Sequence, residues 1–68
     1  MQTILGSGGA VGVALAKALP HYTSTIRLVS RNPTKVNPKD QLFSADLLQP
    51  EEVSQAVLGS EVVYLTAG

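Results

Sequence analysis

The feature that most constrains this 68-residue chain is the run Gly6-Ser7-Gly8-Gly9-Ala10-Val11-Gly12, because of what flanks it. Before it, Met1 to Leu5 ends in the apolar pair Ile4 and Leu5, the pattern of a short buried strand entering a tight turn. After it, Val11, Leu15 and Leu19 recur at every fourth position with Ala14 and Ala18 beside them. That spacing predicts a helix from Ala10 to Leu19 with a narrow apolar face, ended by Pro20.

The remaining residues repeat the alternation. Thr25 to Val29 supplies Ile26, Leu28 and Val29 for a second strand, which stops at the polar group Ser30, Arg31, Asn32 before Pro33. Between Asn32 and Asp40, Pro33, Asn37 and Pro38 interrupt any helical stripe, so this crossover is expected to be loop or a single turn. Gln41 to Ala45 carries Leu42 and Phe43 as a third strand ending at Asp46. Pro50 suits a first helical position, Glu51 and Glu52 complement the helix dipole, Val53, Ala56 and Val57 share a face, and Gly59 closes the helix. Val62 to Leu65 is a fourth strand. Strand–helix alternation of this kind predicts an α/β fold: a parallel sheet of about four strands in the order 3-2-1-4, with right-handed crossovers, a reduced second crossover helix, and no repeat or interdomain linker.

Composition narrows the function classes. An apolar fraction of 44% against 15% charge is that of a globular interior rather than a disordered tail. Five basic and five acidic residues cancel and are scattered, so no field gathers nucleic acid or anionic lipid. The absence of cysteine removes disulfide and thiolate chemistry. No apolar run approaches the roughly 20 residues of a membrane span, and the start lacks a basic region before an apolar core. A soluble, cytoplasmic protein is the expectation.

The glycine run lies where a pyrophosphate can approach backbone N–H groups at a helix N-terminus. Gly6 is expected to make the tight turn, Gly9 to let phosphates come close, and Gly12 to let the helix pack on the strand. The spacing is G-x-x-G-x-x-G; Val11 stands where G-x-G-x-x-G needs its third glycine, and Ala10 occupies the middle site of T-G-x-x-x-G-x-G. On this spacing the chain resembles, over essentially its whole length, the cofactor-binding segment of extended and atypical short-chain dehydrogenase/reductases of the NAD(P)-dependent epimerase/dehydratase type. The resemblance implies half of a Rossmann fold in residues 1–68, with Gly6, Ser7, Gly8, Gly9, Ala10, Val11 and Gly12 along the cofactor pyrophosphate.

The end of the second strand decides between cofactors, since an acidic residue there binds the ribose hydroxyl of NAD whereas a basic group accepts the NADP phosphate. Ser30 and Arg31 favour NADP, with NAD still open, because a guanidinium offers paired donors to phosphate oxygens. An Arg31 that is merely a solvated strand end is the bland alternative. Asp46 and Leu47 match the family's Asp-apolar pair near the adenine edge, although Asp46 could equally serve only the turn backbone. Leu65-Thr66-Ala67-Gly68 resembles the segment beside the cofactor, where the small residues Thr66, Ala67 and Gly68 leave room for ribose and nicotinamide.

The family's chemistry rests on a Tyr-x-x-x-Lys pair. Tyr64 would need lysine at Gly68 and Tyr22 at Ile26, so Tyr64 is expected to be strand packing, Tyr22 a loop residue, His21 exposed after the helix, and Lys17 on its solvent face. No catalytic or metal-binding residue is assigned. The expectation is an N-terminal fragment, inactive alone, of an NADP-dependent reductase or epimerase/dehydratase whose catalytic and small-molecule substrate-binding parts lie downstream. A non-catalytic NADP sensor, a methyltransferase-like domain and a nucleotide-free structural fragment are the alternatives; Ser30 and Arg31, in place of an acidic residue, speak against the methyltransferase. The apolar run Val62 to Leu65 at a sheet edge is further expected to promote self-association.

Overall fold

Each apolar run becomes a strand: β1 (Gln2–Leu5), β2 (Ile26–Ser30), β3 (Gln41–Ser44) and β4 (Val62–Leu65). The computed structural model describes residues 1–6, 8–21 and 25–66. All pairings are parallel, in the order β3-β2-β1-β4, with Gln2 opposite both Ile26 and Val62 and Arg27 opposite Gln41. The α/β class, the strand order and the half of a doubly wound sheet are those expected of the alternation.

Because side chains alternate along a strand, each central strand feeds two cores. Ile4, Ile26 and Leu28 meet Ala16 and Leu19 on one face, with Leu15, Val36 and Tyr64 packed around them. Leu5 and Val29 meet Ala45 and Ala56 on the other, flanked by Phe43, Leu47, Val53 and Val57. The two helices, α1 (Ala10–Ala18) and α2 (Pro50–Ala56), therefore cover opposite faces. Thr3 is fully buried between strands, and its hydroxyl is satisfied by the Ser60 hydroxyl. Strands β3 and β4 are the two edges of the sheet, and on β4 Val62, Val63 and Leu65 are exposed.

The face that α1 presents differs from the one its hydropathy predicts. Gly12 and Ala16 are buried and Leu15 is only partly so, whereas Val11 is 69% exposed and Ala14 and Ala18 face solvent. The helix is rotated by about one residue, roughly 100°, relative to the Val11–Leu15–Leu19 stripe. Small side chains at Gly12 and Ala16 let the helix axis lie close to the sheet, and dense packing along the whole helix outweighs burial of one valine at its first turn. Pro20 does not stop the chain at once. The helix tightens into a 3-10 turn over Leu19–His21, and His21 is exposed as expected.

Proline has no N–H, so Pro20 cannot close the helical bond to the Ala16 carbonyl. Asn37 supplies the missing donor, its Nδ2 lying 2.7 Å from Ala16 O. The β2–β3 connection, loop as predicted, is thereby tied to α1 in place of a crossover helix.

On the opposite face, Arg27 reaches from β2 to the end of α2, donating from one guanidinium nitrogen to Ala56 O at 2.7 Å and Leu58 O at 2.9 Å. These are C-terminal carbonyls with no partner within the helix, and a cation there also meets the negative end of the dipole. Gly59, expected to close the helix, sits three residues past Ala56 at φ +79°, where it turns the chain into β4. Arg27→Met should lower stability by about 1–3 kcal/mol, with Arg27→Lys falling between. Urea denaturation is the check, and an unchanged midpoint for Arg27→Met would show that the cap contributes nothing.

Candidate functional site

In an open parallel sheet the C-terminal strand ends and the helix that follows the central strand define the crevice where ligands bind. Here these ends are brought together by the ladder itself. Gly6 N–H donates to Val29 O (2.8 Å), Ala45 N–H to Ser30 O (3.0 Å) and Thr66 N–H to Leu5 O (2.9 Å), which carries the pairing one residue past each strand.

Gly6 is demanded by the fold. Its φ is +86°, and a Cβ built on it would stand 3.0 Å from the Thr66 carbonyl oxygen and 3.3 Å from the Thr66 hydroxyl. That hydroxyl contacts both Leu5 O (3.1 Å) and Gly6 O (3.0 Å), pinning the residue after β4 against the turn. Gly9 is different. Its backbone is extended (φ −82°, ψ 167°), a conformation any residue adopts, and a Cβ there would meet nothing nearer than Gly6 O at 3.9 Å. A Cβ on Gly8 would meet nothing within 4 Å. Among the described residues, no internal contact explains glycine at these two positions.

Gly9 is also the N-cap of α1. It makes no side-chain cap bond, and the first turn holds no acidic residue. The N–H groups of Ala10, Val11 and Gly12 thus lie at a positive helix end and, among the described residues, have no side-chain acceptor. Ala10 and Val11 lie on the exposed side of this turn, whereas Gly12 is buried, consistent with the packing role its spacing predicts.

Beside the turn, Gly6, Ser30, Arg31, Ala45, Asp46, Leu47 and Leu48 line one cleft of about 220 Å³. Five of the residues singled out from sequence, drawn from the ends of three strands, converge there. The Arg31 side chain is 72% exposed and stands 3.7 Å from Asp46 Oδ1, a loose surface pair of little intrinsic strength. Asp46 serves its turn as well: Oδ1 accepts from Leu48 N–H at 2.9 Å, and the Glu52 carboxylate reaches back to Asp46 N–H at 3.1 Å. Sequence reasoning missed Ser44, whose hydroxyl donates to Arg31 O at 2.7 Å and fixes the backbone that carries the guanidinium. A polar residue closing a strand beside an Arg was the available signal.

Ser7, Ala67, Gly68 and Tyr22 lie outside the described residues. Tyr64 is strand packing, its hydroxyl donating to Gln2 Oε1 at 3.1 Å, and Lys17 is exposed. A roomier cleft of about 640 Å³ between β3 and α2 is lined by Phe43, Ser44, Glu51, Glu52, Ser54 and Gln55. Its two carboxylates disfavour an anion. Among the described residues there is no cluster of metal-ligating side chains, and no helix is long and apolar enough to cross a membrane.

Among solved structures, the chain is similar to a crystallised short-chain dehydrogenase/reductase from Veillonella parvula, with a TM-score of 0.80 and 28% identity. The match covers 97% of this chain and 34% of that one. This is a short-chain dehydrogenase/reductase-like Rossmann segment. It spans about a third of its structural neighbour's length. No family model and no curated protein matches the chain.

The segment's two kinds of glycine predict opposite tolerances. Gly6→Ala should cost about 1–3 kcal/mol through the left-handed backbone, with displacement of Thr66 adding to that. Gly8→Ala has room and should stay within about 1 kcal/mol of the parent. Paired thermal melts separate the two, and equal losses would contradict the assignment of Gly6 as the fold's own glycine.

Proposed function

We propose that this Rossmann segment holds the pyrophosphate and adenosine end of a nicotinamide dinucleotide, NADP in preference to NAD, as the cofactor-binding part of a reductase or an epimerase/dehydratase. The observation that carries this reading is Gly9, with Gly8 beside it. Among the described residues nothing internal calls for glycine there, at a helix N-terminus without a side-chain cap, so the space it leaves is best explained by something outside the chain. A phosphate fits that space: it is anionic, it accepts from several N–H groups at once, and a Cβ would block its approach.

The assigned roles follow from position. The N–H groups of Ala10, Val11 and Gly12 bind the pyrophosphate, while Gly6 shapes the turn and Gly12 seats the helix. Ser30 and Arg31 receive the 2′-phosphate; a dianion competes well for a guanidinium whose present partner is 3.7 Å away and partly solvated. Asp46 and Leu47 border the adenine, and Thr66 borders the ribose side. The bound cofactor would supply hydride transfer at its nicotinamide. The segment's own residues bind and orient, and they offer no tyrosine–lysine pair: Tyr64 is followed four residues later by Gly68, and its hydroxyl is engaged with Gln2. Proton transfer and substrate binding are therefore assigned to chain beyond these residues, and the 68 residues alone should show no turnover.

Calorimetric titration with NADPH, NADH and S-adenosylmethionine tests the reading. NADPH should bind most tightly, and Arg31→Asp should weaken NADPH by at least about tenfold, or 1.4 kcal/mol, while leaving NADH nearly unchanged. A folded chain that binds none of the three overturns the proposal.

Gly9→Ser gives a sharper check because its two effects have opposite signs. A serine N-cap should hold or raise stability by a few tenths of a kcal/mol, yet its side chain would enter the phosphate space and cut NADPH affinity at least about tenfold. Undiminished affinity in a stabilised Gly9→Ser chain would remove the cradle from the reading.

A further inference from the structure

The turn between Gly6 and Gly9 has little packing of its own. Among the described residues a Cβ on Gly8 would meet nothing within 4 Å, and one on Gly9 only Gly6 O at 3.9 Å. Glycine backbone also has more conformational freedom to lose than any other. A few hydrogen bonds therefore have to hold this turn. Gly6 N–H donates to Val29 O at 2.8 Å, Gly9 N–H returns to Gly6 O at a long 3.4 Å, and Val13 N–H donates to Gly9 O at 3.0 Å, the first rung of α1. The Gly6 carbonyl is thus where the end of β1 and the start of α1 are joined, and by itself the joint is weak.

The side chain that reaches this carbonyl comes from beyond β4. Thr66 Oγ1 lies 3.0 Å from Gly6 O and 3.1 Å from Leu5 O. Leu5 O already accepts Thr66 N–H at 2.9 Å, so the hydroxyl adds most by donating to Gly6 O, whose second lone pair remains for Gly9 N–H. The same backbone bond fixes Thr66 to the sheet. Its hydroxyl is a donor already in place, and a short series of bonds runs from it through Gly6 O and Gly9 to Val13.

Resting on the cofactor reading above, we infer that Thr66 is a positioning residue for the pyrophosphate. Its hydroxyl fixes Gly6 O, and through Gly9 it holds the first turn of α1 where the N–H groups of Ala10, Val11 and Gly12 meet one anion together. A chain lacking the hydroxyl has to order the glycine turn as the nucleotide binds, and that cost is subtracted from affinity. The pyrophosphate is common to NAD and NADP, so the loss falls on both alike, unlike the effect of Arg31.

Thr66→Val removes the hydroxyl at nearly constant shape, and Thr66→Ser retains it. The full chain and both variants are titrated with NADPH and NADH, and amide hydrogen exchange is followed without nucleotide. In Thr66→Val both affinities should fall at least about fivefold with their ratio kept, while Thr66→Ser stays within about twofold of the parent. Exchange at Gly9 N–H and Val13 N–H should quicken at least about fivefold in Thr66→Val, with less than about twofold at Ala45 N–H beyond β3, the signature of local opening. Exchange quickened equally at Ala45 would mean that the hydroxyl only stabilises the sheet. Lost affinity with unaltered exchange at Gly9 and Val13 would mean that it touches the nucleotide directly. Either result overturns the inference, as does a folded Thr66→Val with parental affinities. If Thr66→Val does not fold, Thr66→Ser decides: affinities within about twofold of the parent support the inference, and any larger loss overturns it. A parent chain that binds neither nucleotide overturns the cofactor reading and this inference with it, whereas the other failures leave that reading intact.

Discussion

Parallel strands cannot be joined by a tight turn, so every neighbour of β1 in the sheet has to be delivered by a crossover. β1 is bonded on both sides, to β2 and to β4, and it is the strand from which the order reverses. That double pairing explains much else in the molecule. It buries Thr3, Ile4 and Leu5, it requires α1 and α2 to lie on opposite faces, and it opens a crevice at the single end where β1 releases the chain into Gly6. The glycine turn is the consequence of a central strand that must hand its chain to a helix in very little space.

The short connections show how the segment compensates for its size. Where a full crossover helix is absent, one side-chain amide replaces a lost helical hydrogen bond, and one buried carboxylate organises the loop that carries that amide. Where α2 ends after two turns, a guanidinium from the middle of the sheet receives its carbonyls. In both places a polar side chain does what additional regular structure does in a larger domain, and the described residues contain no buried side-chain polar atom without a partner.

The elements themselves were legible in the sequence because each is bounded by local chemistry: Pro50 with Glu51 and Glu52 at the start of α2, the polar stop after Val29, and the proline-interrupted stretch from Asn32 to Asp40. Residue identities at the glycine turn also marked the β1–α1 junction as the candidate site. What could not be read was set by distance across the fold. The orientation of α1 depends on how closely Gly12 and Ala16 approach the sheet, which hydropathy periodicity does not register. The Arg31–Asp46 pair and the Ser44 contact exist only because β2 and β3 end side by side. The link from Asn37 to Ala16 spans 21 residues, and neither sequence neighbourhood hints at the other.

The contact between Thr66 and Gly6 joins residues 60 apart, nearly the whole chain. Closing so long a loop is entropically costly, and contacts of this separation form late compared with local helices. The turn that would face a phosphate is therefore finished only when β4 docks on β1. Affinity for a nucleotide becomes a report on the completed sheet, and a nucleotide that binds only the completed form stabilises β4 at the opposite edge from β3 by mass action. On the proposed cofactor reading, nucleotide binding and the docking of β4 on β1 are thermodynamically linked.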